Sequence, residues 1–274
     1  MAQISIVDNF YNGFVFGLQP FTIPTILSVT SIASGLSSIY LIDEQQTTYW
    51  RSQDTSNQYI DIDLGVALSA NSLVYLFGAN FSTATVYGST TNDFAATPYS
   101  QALNIYTNTR TNIRLGWWRM ATNTYRYLRL LIPSQTPDNS ATYFELAMIA
   151  VIPTSSVIAF SNYHQLPITP IIDRPGISNP YAAGGTSRTN TSRRSRQRFE
   201  LTNLGFLIDD EESVLRIQRM NQDQKFLFIE NLSTPTAESR TNDSSRVALV
   251  QRIGEFTYSL EGNVFETGFI LEEQ

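Results

Sequence analysis

The chain has 274 residues, enough for one large domain or two of ordinary size, and 42% of it is apolar, 12% aromatic and only 15% charged. A net charge of −6 argues against a general binder of nucleic acid or of membrane surfaces, which needs a basic excess. Cysteine is absent, so disulfides and thiolate metal sites are excluded, and the apolar content is too high for wholesale disorder. Of the 18 basic residues one is Lys225 and the rest are Arg. That bias favours the planar, bidentate cation of protein interfaces, with composition bias as the other reading.

The first residues, "MAQISIVDNF", have no basic region ahead of an apolar core, so no secretory leader is expected. Between Phe10 and Ile42 the apolar stretch is broken by Gly17, Pro20, Pro24 and Gly35. No run of about 18 apolar residues is left for a membrane helix. From Ile4 to Pro153 short apolar or alternating runs are separated by polar turn clusters. Strands are expected at 24–32, 58–65, 71–79, 83–89, 125–133 and 143–153. In "QYIDIDLG" Ile60, Ile62 and Leu64 share one face, and Tyr59, Asp61 and Asp63 share the other. Recurring strands without helical patterns between them point to an antiparallel sandwich or jelly roll.

The composition shifts at Thr154. "QLPITPIIDRPGISNPY" holds four prolines, and the next stretch, "AAGGTSRTNTSRRSRQR", is rich in Gly, Ser, Thr and Arg. Residues 154–198 read as a linker and a long loop with an interface role. A second structured unit is expected over 199–274. It opens with a helix at 209–222, whose first turn is acidic (Asp209 to Glu212) and whose Val214, Ile217 and Met220 share a side. Strands follow at 225–232, 245–253, 255–262 and 264–272, the last two joined by the Gly262-Asn263 turn.

Candidate chemistry is sparse. Asp61 and Asp63, two apart on a strand, lie near enough to share a cation or to divide acid and base roles, but the sequence names no partner for either role. The alternative is the polar face of a half-buried strand. His164 is the sole histidine, so a two-histidine zinc site is excluded, and in the Pro-flanked "NYHQLP" it reads as a loop residue making an ordinary hydrogen bond rather than as the base of a Ser–His–Asp triad. The acids at 209–212 suit a helix N-terminus. Gly184-Gly185 lies in a polar loop and makes no phosphate cradle. Trp117-Trp118 reads as core or as a sugar-stacking pair. Arg188, Arg193, Arg194, Arg196 and Arg198 form the basic cluster, read as a loop docking on a neighbouring subunit, with phosphate contact and a solvated loop as the other readings. No catalytic residue, metal ligand or cofactor is assigned.

"TYWRS", then "YIDIDLG", then "LFGANFSTATVYGST" resembles the discoidin (coagulation factor 5/8 type C) domains of the galactose-binding-like superfamily, through Trp50, Ser52, Ile60–Gly65 and Asn80. "WWRM", "YRYLRLLIP" and "YFELAMIAVI", with Glu145, resembles the closing pattern of those domains. The resemblance covers about residues 4–153. It implies a jelly-roll sandwich with its ligand on variable loops at one end, and it departs from the family in lacking the terminal cysteines. The arrangement as a whole is similar to structural proteins of tailed bacteriophages, which join such a domain to a small β-module.

The expectation is therefore an all-β protein with a discoidin-like β-sandwich at 1–153, a Pro-rich linker and Arg-rich loop at 154–198, and a small β-rich domain with one short helix at 199–274. The function expected is a non-enzymatic virion component of a phage tail, tail tip or baseplate. It would assemble with copies of itself as a ring and with other tail proteins, and its sandwich would contact host glycan, with no nucleic acid and no membrane insertion. The alternative is a stand-alone carbohydrate-binding protein.

Overall fold

The computed structural model describes residues 14–17, 24–43, 45, 47–68, 72–95, 99–107, 114–119, 124–160, 169–173, 196–207, 211–219, 224–230, 247–261 and 264–273. In chain order the elements are β1 (Phe14–Gly17), β2 (Thr25–Val29), a 3-10 turn at Ser38–Leu41, β3 (Trp50–Arg51), β4 (Gln58–Leu68), β5 (Leu73–Ala79) and β6 (Thr83–Ser89). Then come β7 (Tyr99–Asn104), β8 (Tyr106–Thr107), β9 (Arg114–Arg119), β10 (Tyr125–Ile132), β11 (Glu145–Leu146), β12 (Met148–Ile152) and β13 (Val157–Phe160). The remainder are β14 (Thr169–Asp173), β15 (Arg196–Leu207), α1 (Glu211–Gln218), β16 (Lys225–Glu230), β17 (Val247–Glu261) and β18 (Val264–Glu273). The chain divides into two compact units, Gln3–Asn162 with Phe226–Val247, and Tyr163–Lys225 with Ala248–Gln274.

The first unit is a jelly-roll β-sandwich. One sheet has the order β2-β4-β10-β6-β7, the facing sheet β12-β5-β9-β8, and β11 pairs with β3. The alternation in β4 does what its sequence dictates. Ile60, Ile62 and Leu64 turn inward with Leu128, Leu130 and Ile132 of β10, and they meet Val74, Leu76, Ile149 and Val151 of the facing sheet. Each such side chain contributes about 1.5–3 kcal/mol by leaving water. Trp50 is fully buried in this core, and its indole Nε1 donates to the Ser31 carbonyl at 3.1 Å.

Two glycines are required by geometry. Gly65 sits at φ 74°, where the pairing of β4 with β10 slips between Tyr125 and Tyr127, so it forms the bulge that ends the regular ladder. A Cβ on Gly88 would come within 2.7 Å of the Tyr125 ring, so the bare backbone of β6 lets that ring lie in the core, stacked on Tyr99.

The four-stranded sheet is buried on both sides. Besides Val74, Leu76, Ile149 and Val151 in the sandwich core, the opposite face (Leu73, Tyr75, Phe77, Leu115, Trp117, Met148, Ala150 and Ile152) is also buried. Also in the first unit, β1 pairs antiparallel with both β13 and β16, and Phe226, Leu227 and Phe228 of β16 are buried.

In the second unit β14, β15, β18 and β17 pair antiparallel in that order. The stretches expected as separate strands at 245–253 and 255–262 form one strand, β17, whose pairing with β18 slips between Ile253 and Thr257. Glu261 faces Val264 across the expected hairpin. α1 is shorter than the 209–222 expected, and Ile217 is its buried anchor. The stretch read as linker contains β13 and β14, and β15 begins inside it.

Candidate functional site

The face of β4 that carries the paired carboxylates is the outer face of the five-stranded sheet. Antiparallel register sets Asp61 opposite Arg129 and Asp63 opposite Tyr127. Arg129 donates to Asp61 through Nε at 2.6 Å and Nη2 at 2.8 Å, and the Ser28 hydroxyl donates to the same carboxylate at 2.8 Å. Arg126 donates to Asp63 through Nε at 2.8 Å and Nη2 at 2.9 Å, and the Gly65 N–H adds a third bond at 2.8 Å. Each carboxylate is thus held by its own bidentate guanidinium. The two acids neither face each other across a cation nor divide acid and base roles.

The titration behaviour follows from this geometry. The hydrogen bonds from Arg126 hold the Asp63 carboxyl below the usual carboxylate range, with partial burial opposing and the Gly65 N–H assisting. Hydrogen bonding to Asp61 pushes the Arg129 guanidinium up, and partial burial opposes it. The Asp63–Arg126 pair accordingly stays charged across the physiological range.

Aromatic rings frame the pairs. The Arg129 guanidinium lies 5.0 Å from the centroid of Tyr59 and 4.3 Å from that of Phe94, and Arg126 lies 5.2 Å from Tyr127. Phe94 reaches this position from the segment after β6 in the left-handed region, at φ 52°. For a bulky residue that conformation costs about 1–3 kcal/mol and persists only where the surroundings impose it. Here the segment is tied by Ser89 Oγ accepting from Thr91 N, and by Asp93 accepting from Thr91 Oγ1 at 2.7 Å and Ala95 N at 3.0 Å. Those last bonds, the Ala95 N–H first, lower the Asp93 carboxyl. Phe94 is itself buried, whereas Tyr59 is 36% exposed and is the one exposed aromatic ring among the described side chains.

The residues that carry the discoidin resemblance are built into the scaffold. Ser52 Oγ donates to the Asp54 carbonyl at 2.6 Å and accepts from Phe144 N at 2.8 Å. Asn80 bridges the β5–β6 turn to β11, donating to the Tyr143 carbonyl and accepting from Glu145 N. Glu145 accepts from Arg51 Nε at 2.5 Å, with Arg51 over the Tyr143 ring, and Arg114 pairs with Asp138. The 3-10 turn at Ser38–Leu41 packs beside β3 at this loop end of the sandwich, and its Ile39 is 53% exposed.

Among the described residues no group of three or more His, Asp or Glu is placed to hold a metal ion. Trp117 is core and not a sugar platform. Arg188, Arg193, Arg194, His164, Asp209 and Asp210 lie outside the described residues. The backbones of Arg196 and Arg198 lie in β15, opposite Asp173 and Ile171 of β14. Sequence reading identified Asp61 and Asp63 but missed Arg126, Arg129 and Phe94. An Asp-x-Asp strand facing a strand with two arginines is a signal for the first two, while Phe94 leaves none.

No protein-family model matches the chain, and no curated protein sequence matches it. Solved structures do. A family 32 carbohydrate-binding module (CBM32-3) of a family 31 glycoside hydrolase from Clostridium perfringens is 18% identical with a TM-score of 0.39, covering 50% of this chain and 96% of that one. The C-terminal domain of a chitobiase from Bacteroides fragilis is 20% identical with a TM-score of 0.38, covering 52% and 99%. A chain of the complex of reduced XRCC1 with the DNA polymerase β catalytic domain is 12% identical with a TM-score of 0.39, covering 49% and 99%. Likeness at this level carries no argument about function.

Proposed function

We propose that the protein is a non-catalytic binding protein whose first unit engages saccharide. The observation that carries this reading is the open outer face of the five-stranded sheet. It joins an exposed tyrosine ring to guanidinium–carboxylate pairs that are fixed before any ligand arrives. Sugar rings present an apolar face and a rim of hydroxyls, and a rigid ring with planar donors beside it matches both. The acids of this face are spent on arginines, which leaves binding as its task rather than proton transfer. Screening the full chain on a glycan array tests the reading. Retention on a defined set of glycans is expected, and no retention on any glycan contradicts it.

A second reading rests on the arginines of 188–198. In it the chain is a structural component of a phage tail or baseplate, docking on neighbouring copies through Arg188, Arg193, Arg194, Arg196 and Arg198. Mass measurement of the purified chain separates the two: this reading requires a multimer, and a monodisperse monomer ends it.

A further inference from the structure

The saccharide reading leaves open where on the sandwich the ligand lies and what kind of glycan it is. At the loop end, which holds Ile39, Arg51 gives one N–H to Glu145 and is partly exposed, Arg114 is held by Asp138, and Asn80 and Ser52 by backbone groups. The sheet face differs in setting two bidentate guanidiniums beside an exposed aromatic ring, Tyr59. Each guanidinium has five N–H groups, and two on Arg129 and two on Arg126 are used by their carboxylates. Among the described residues the other three on each meet no acceptor. The side chains of Arg129 and Arg126 are 28% and 45% exposed, so these donors have access to solvent.

Resting on the saccharide reading, we propose that the site is this sheet face, and that its ligand is a neutral, linear glycan lying along β4. Tyr59 supplies the stacking platform and the spare N–H groups of Arg129 and Arg126 donate to sugar oxygens. Three features fix the class. Both positive charges are already matched by Asp61 and Asp63, so an anionic ligand would find no unbalanced cation. Tyr59 and Asp63 are four residues apart on one face, about 13 Å, which suits several linked sugar rings rather than one. Phe94, held in a strained conformation against Arg129, fixes the guanidinium plane in advance, so little ordering is left for binding to supply.

The test uses the full chain in titration calorimetry against neutral hexose and N-acetylhexosamine oligosaccharides, with sulfated and uronate-bearing oligosaccharides alongside. The wild type is expected to bind a neutral oligosaccharide more tightly than its monosaccharide, with affinity changing less than about twofold between low and physiological salt. Tyr59→Ala is expected to weaken binding about tenfold at unchanged melting temperature, while Ile39→Ser binds as the wild type does. Loss on Ile39→Ser with Tyr59→Ala unaffected moves the ligand to the loop end and overturns this inference while saccharide binding stands. Preference for the anionic glycans, or a steep salt dependence, overturns the neutral class. A wild type that binds none of them overturns both readings.

Discussion

The two sheets of the sandwich share one core and have opposite outer faces. Outside the four-stranded sheet, Leu73, Tyr75, Phe77, Met148, Ala150 and Ile152 are buried. Outside the five-stranded sheet the corresponding rows hold Ser28, Asp61, Arg129 and Tyr87, beside Tyr59 and the Asp63–Arg126 pair. An antiparallel sheet with one wet face alternates, and one covered on both sides does not. The chain obeys that rule strand by strand, with "YIDIDL" in β4 and "LVYLF" in β5. One outer face is buried and apolar, and the other is polar, with Tyr59, Arg126 and Arg129 partly exposed.

The largest effect that can test this contrast lies on the covered side. Phe77→Ala should cost about 3–5 kcal/mol in denaturant unfolding, because its side chain is enclosed although it points away from the sandwich core. A cost under 1 kcal/mol would show that this face is not covered. On the open side, Arg129→Ala should cost about 2–3 kcal/mol, since it leaves Asp61, 7% exposed, without its charge partner. Arg126→Ala should cost clearly less than Arg129→Ala in the same measurement, for its pair with Asp63 is the more exposed of the two.

A smaller effect comes with acid. The Asp63 carboxyl is lowered in the folded chain, so its stabilisation is complete above its unfolded value of about 3.9 and is lost as pH falls through the lower folded value. Acid unfolding of Arg126→Ala should accordingly lose part of the stability decline below about pH 4 that the wild type shows. The smallest stability effect belongs to Tyr59→Ala, within about 0.5 kcal/mol of wild type, because the ring is at the surface.

How much of this was legible in the sequence varies by element. β4, β6 and β10 could be read because alternation or β-branched residues mark them, and their bounds fall within a few residues of expectation. β5 was legible as a strand, and its unbroken apolar run also carried the two-sided burial, which was not drawn from it. β3, β7, β8 and β9 were missed. "YSQALN" and "RLGWWR" have weak patterns of their own, and their strand state comes from pairing with β6 and β5. The ion pairs were hidden for a geometric reason. Arg126 and Arg129 are three apart, which on a regular strand places them on opposite faces. The slip in pairing opposite Gly65 lets both reach the carboxylates.

The most direct measurement is a set of tyrosine ring resonances from selectively labelled full-length protein, recorded as a neutral oligosaccharide is added. The account predicts shifts at Tyr59, Tyr87 and Tyr127 on the open sheet face, with Tyr75, enclosed on the opposite sheet, unchanged. Shifts confined to Tyr40, Tyr49 and Tyr143 at the loop end, with Tyr59 unmoved, would contradict it.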